Sequence, residues 1–153
     1  MARRVVVSPE VTALALLDRV DYVDAFAVPV PRGRRPEDLF RSALATAPHG
    51  LLSFVRLVQT GLGLRLAPTS AEHPLGWTIL RSDDEAFILA AGGDAVAGRI
   101  VARVRAGEFE LTTQLRLDTT RARVGWAIAA PCHRTVARYL LDRTARRAGA
   151  TLR

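Results

Sequence analysis

The chain has 153 residues, 49% of them apolar and 24% charged, with a formal net charge of +7. That is the size and composition of one globular domain, large enough to be held by a hydrophobic core without a metal or disulfide staple. Its one cysteine, Cys132, excludes an internal disulfide, and no apolar run approaches the ~20 residues of a membrane span.

The charge is unevenly spread. Residues 1–118 carry as many acids as arginines, whereas 119–153 carry eight arginines (among them Arg143, Arg146 and Arg147) against the single acid Asp142, which accounts for all of the +7. There is no lysine. The bias toward arginine fits codon usage in a GC-rich genome and is not read as evidence of nucleic-acid binding. Met1–Val7 has no apolar segment or cleavage site behind its two arginines, so a cytoplasmic location is expected.

Ser8-Pro9-Glu10 is a helix start: a capping hydroxyl, a proline suited to the first helical position and an acid at the positive end of the dipole. It predicts a short helix over 9–18. Residues 21–30 predict a strand with Tyr22, Phe26, Val28 and Val30 on one face. Pro36-Glu37-Asp38 opens a second helix, stopped by Pro48. A third begins near His49 with Leu51, Phe54, Val55, Val58 and Leu62 as its apolar stripe, and Gly61 and Gly63 end it. A loop over 64–75 leads to strands at 77–80 and 86–91, turned at Ser82-Asp83-Asp84.

The next two strands predict their own register. Ile100, Ala102 and Val104 alternate with Arg99, Arg103 and Arg105. Beyond Gly107, the inward residues Phe109, Leu111, Thr113, Leu115 and Leu117 alternate with Glu108, Glu110, Thr112, Gln114 and Arg116. A two-residue turn at Ala106-Gly107 pairs Arg105 with Glu108, Arg103 with Glu110 and Val104 with Phe109, so charge and burial select one register. The charged pairs are expected to be exposed. Residues 121–147 predict a long amphipathic helix with Ile128, Ala129, Cys132, Val136, Tyr139 and Leu140 on its apolar side. Arg134 and Arg138 would stand opposite, with a kink or restart at Pro131.

These elements predict an α+β fold: a curved antiparallel sheet gripping a long C-terminal helix, with two short helices between the first strand and the rest closing the other side. One domain covers 1–153, with 1–19 as an N-terminal extension and 119–153 as the basic C-terminal helix and tail. The element order resembles the helix-grip fold of START-like (SRPBCC, Bet v 1-like) proteins, although five strands are counted here where that superfamily has six or seven. Closer still, Asp21-Tyr22-Val23-Asp24-Ala25-Phe26 and Pro131-Cys132-His133-Arg134, with Leu140-Leu141 and Arg146-Arg147 behind them, resemble a bacterial domain family of no assigned activity. That family looks START-like and also occurs behind nucleotide-binding oxidoreductase domains. The resemblance covers about residues 20–148. It implies a fold, often with a hydrophobic cavity between sheet and last helix, and an oxidoreductase as a conceivable partner. It implies no catalytic residue. Cys132 stands where the family usually has a larger apolar residue.

A small-ligand binding protein is therefore the first expectation, with an apolar or amphipathic ligand near Trp77, Leu111, Leu115, Trp126 and His133. An enzyme using the same cavity is the alternative: His133 would be acid or base, with Tyr22 or Asp24 as its polar partner. A further alternative is an interaction module in which Arg143, Arg146 and Arg147 meet an acidic partner or polyanion. Cys132 is read as a buried small hydrophobe. His49, Glu72 and His73 lack ligand spacing, so no metal is expected, and no cofactor either. Gly61-Leu62-Gly63 and Gly92-Gly93 are too short for a phosphate loop. Nucleic acid is not expected as a partner.

Overall fold

A computed structural model describes residues 1–150, the side chain at 150 excepted; Arg153, counted above in the basic tail, lies outside the described residues. Six strands form one antiparallel sheet in the order β1-β2-β6-β5-β4-β3. They are β1 (Arg3–Arg4), β2 (Tyr22–Pro29), β3 (Thr78–Ser82), β4 (Ala86–Gly92), β5 (Val96–Arg105) and β6 (Glu108–Leu117). The helices are α1 (Pro9–Ala15), α2 (Pro36–Thr46), α3 (His49–Gly61) and α4 (Thr120–Ala150), and Pro74–Gly76 forms a single 3-10 turn.

The β5–β6 hairpin has the predicted register, with Arg105 opposite Glu108, Arg103 opposite Glu110 and Val104 opposite Phe109. Ala106 (φ 52°) and Gly107 (φ 81°) both take left-handed backbone, the geometry whose twist matches that of the paired strands. The sixth strand, not anticipated, is the two-residue β1. It adds to the edge of β2, opposite Phe26 and Ala27, and is too short to leave a periodic signal.

The inner face of the sheet carries Phe26, Val28, Phe87, Leu89, Ala102, Phe109 and Leu115, buried in one cluster with Leu39 and Phe40 of α2 and Trp126 and Leu141 of α4. Thus α2 lies on the same side as α4, not opposite it; its Phe40 ring sits 5.5 Å from that of Phe87. The other side is covered by α1, where Ser8 accepts the amide of Val11 at the N-cap and Val11 and Ala15 bury against Ala86, Ile88 and Val101. This cover corrects the expectation of exposure for Arg103, while Arg105 is exposed as expected. Arg103 is only 8% exposed and lies 3.7 Å from Glu10 of α1 and 3.9 Å from Glu110. Arg105 turns to Glu10, and Glu108 pairs with Arg3 at 2.6 Å. Thr112 and Gln114, on the same outward register, are fully buried.

The 31 residues of α4, roughly 46 Å at 1.5 Å per residue, run through Pro131 without a break. Pro131 and Ala127 both lie on an exposed part of the helix, so water can take the carbonyl that proline leaves unpaired. The buried stripe is rotated from the expected one. It consists of Ala122, Trp126, Ala130, Ala137, Leu141, Thr144 and Ala148, while Ile128 is 77% exposed and Tyr139 is also exposed. Small alanines let the helix approach the sheet closely, whereas a reading by hydrophobic weight centres on the larger residues beside them. Arg134 and Arg138 correspondingly face the sheet: their guanidinium groups lie over the rings of Tyr22 (5.8 Å) and Phe26 (5.2 Å). Asp142, the helix's one acid, accepts the amide of Ala2 at 2.5 Å and ties the N-terminus down.

Candidate functional site

Between the inner face, α4 and α3 lies an apolar cavity of about 120 Å³. All five residues singled out from the sequence, Trp77, Leu111, Leu115, Trp126 and His133, line it. Leu111, Thr113 and Leu115 form its floor because period-two alternation sends them inward from β6. Trp77 is 2% exposed and lies over Gly98 of β5, where a Cβ would stand only 2.8 Å from its Cη2. Glycine leaves the indole the space that a side chain would take there. The indole Nε1–H donates to Gln59 Oε1 (3.2 Å), joining this wall to α3.

The roof is α3, through Leu52, Val55, Val58 and Gln59. No residue of this helix is buried, although Leu51, Phe54, Val55, Val58 and Leu62 give the sequence a clear apolar stripe there. An apolar helix without a core of its own is an informative signal: its stripe faces an incompletely filled space.

At the end of the cavity bounded by His133, a polar cluster stands behind the wall. The Tyr22 hydroxyl donates to Asp24 Oδ2 (2.5 Å), and Arg134 Nε donates to the Tyr22 oxygen (3.2 Å). His133 Nε2 lies 3.2 Å from the same Asp24 oxygen. Trp126 meets Tyr22 edge-on at 4.9 Å and His133 at 5.1 Å, which fixes the three rings together. Asp24 is 2% exposed. Burial, and then the hydrogen bond to Asp24, push the Tyr22 hydroxyl up to about 12, while the Arg134 contact pulls it back only partly. Sequence reasoning offered Asp24 only as a guess beside Tyr22. The signal for it is parity: position 24 shares the inward face with Tyr22, Phe26 and Val28, so an acid is placed among buried residues.

This cluster is under-satisfied. Asp24 Oδ1, Trp126 Nε1 and His133 Nε2 are buried with no aligned hydrogen bond. Buried polar atoms without partners are uncommon in folded proteins and concentrate where water, ligand or chemistry completes them. The set can hold a hydrogen-bonding group at one end of an apolar space, and a histidine against a buried carboxylate can accept or deliver a proton.

Other expected residues fall elsewhere. Cys132 borders the cavity but is exposed, not buried, because α4 is rotated about its axis. Arg143 is not a free member of a basic surface: it donates to the Thr46 carbonyl at the end of α2 (2.7 Å) and to the Tyr139 hydroxyl (3.0 Å). Arg146 and Arg147 are exposed in the last described turns. Among the described residues no group of three His, Cys, Asp or Glu side chains could hold a metal, and no helix is long and apolar enough to cross a membrane. No protein-family model matches the chain, and comparison with curated proteins and with solved structures finds no match either.

Proposed function

We propose that the chain is a START-like, helix-grip domain that binds a small apolar or amphipathic molecule between its sheet and α4. The observation that carries this reading is the cavity itself: apolar walls, two indoles and few polar groups, all at defined positions. At about 120 Å³ it is close to the roughly 150 Å³ known to hold benzene in a protein interior. The ligand that this volume admits is therefore one ring or a short chain, and a larger one lifts α3, whose residues are all at least partly exposed. The test is native mass spectrometry of the purified protein beside its denatured mass, with amide exchange of α3. Extra mass lost on denaturation, together with slower exchange in α3 when that molecule is present, supports the reading. An unliganded mass and exchange in α3 indifferent to small aromatic probes would overturn it.

Catalysis in the same cavity is a second reading, favoured by the 3.2 Å approach of His133 Nε2 to Asp24. It requires that His133→Ala abolish turnover of the identified ligand while the fold stays intact. Binding of a polyanion by the last turns of α4 is weakened as a reading by the engagement of Arg143 with α2.

A further inference from the structure

We infer that the ligand carries a neutral hydroxyl, as an alcohol or phenol does, and that His133 accepts its proton in a hydrogen bond; this rests on the cavity reading above. The cavity is polar at one end. Thr113, which lines it, is the direct cross-strand partner of Asp24 on β2, and His133 approaches the same carboxylate from α4. Around the rest of the cavity the walls are aliphatic or aromatic apart from the Cys132 thiol, a weak hydrogen-bonding group, and Gln59, whose carbonyl oxygen is already taken by Trp77.

The proton inventory at that end selects the ligand group. Asp24 Oδ2 accepts from Tyr22 and faces Nε2 of His133. In the neutral imidazole a nitrogen lone pair against that oxygen is repelled, which favours the tautomer with its proton on Nε2 and its acceptor at Nδ1. Thr113 adds a hydroxyl able to donate or accept. An acceptor beside an amphoteric hydroxyl is complemented by a group with one donor and an accepting oxygen. A carboxylate head is disfavoured, because no Arg lines the cavity and Asp24 stands behind the wall. A wholly apolar ligand leaves the Thr113 hydroxyl and the His133 acceptor, both on the lining, without a partner.

The test uses the full chain with toluene, phenol and benzoate, which share one ring and differ in the head group. Binding is followed by titration calorimetry and by the indole signals of Trp77 and Trp126. The expected result is that toluene and phenol bind and benzoate does not, and that His133→Phe weakens phenol by about tenfold while leaving toluene within about twofold. His133→Gln, which restores an acceptor, recovers part of the loss. If His133→Phe fails to fold, the wild-type protein decides with anisole, whose oxygen has no proton to give and which must bind more weakly than phenol. Toluene binding with no preference for the hydroxyl, or benzoate binding more tightly than phenol, overturns the inference and leaves the cavity reading standing. Failure of toluene and phenol alike overturns both.

Discussion

Gly98→Ala tests whether the space beneath α3 is real. The added Cβ would stand 2.8 Å from Trp77 Cη2, 3.2 Å from Cζ3 and 3.1 Å from Leu115 Cδ2, where ordinary contact begins at 3.4 Å. The indole must therefore lift by about 0.6 Å, the difference between 3.4 and 2.8 Å. In a filled core a forced shift of this kind costs about 1–3 kcal/mol. Here the ring lifts from the sheet into the cavity it lines, so the cost belongs at the low end, and removing a strand glycine returns about 0.5–1 kcal/mol. The expected net loss is about 0–0.5 kcal/mol, a fall in Tm of at most about 2 °C for a chain of this length. The same lift shrinks the cavity, and toluene affinity should fall about tenfold, equivalent to 1.4 kcal/mol. Urea denaturation followed by tryptophan fluorescence, with calorimetric titration of toluene, measures both quantities. A loss beyond about 3 kcal/mol would refute the reasoning, since it would mean that Trp77 has nowhere to go. Unchanged toluene affinity would place the probe outside this cavity.

Three further outcomes follow from the geometry. Leu141, at 1% exposure, should cost about 2–5 kcal/mol as Leu141→Ala, whereas Ile128→Ala should stay within about 0.5 kcal/mol; denaturation of the pair checks the rotation of α4. Arg143→Met, which unties α4 from the Thr46 carbonyl, should cost about 1–2 kcal/mol while Arg146→Gln is nearly silent, and equal effects would return Arg143 to the solvated surface. Tyr22 is raised from 10 to about 12, so the fold favours its neutral hydroxyl; that contribution is complete below pH 10 and is lost as pH rises through about 12. Ultraviolet titration should show the Tyr22 phenolate only near pH 12, and Tyr22→Phe should remove this component from the alkaline fall in stability.

What the amino-acid sequence determined by itself is whatever local chemistry encodes. Ser8-Pro9 and Pro36-Glu37-Asp38 start helices where caps and dipoles say they should, and the alternation around Ala106-Gly107 set the register of the longest hairpin. The same alternation turned Leu111 and Leu115 inward, and the wheel of α4 brought Trp126 and His133 to the cavity wall. Tertiary structure decided what depends on a partner surface. The stripe of α4 is mostly alanine, and alanine reads as interface only once a sheet lies close against it. Arg103 on the charged face of β5 is covered because α1, a seven-residue helix, crosses it. Asp24 becomes the partner of His133 because β2 and α4, more than a hundred residues apart, meet at that height; parity announced its inward face, but no local pattern announced what it would meet.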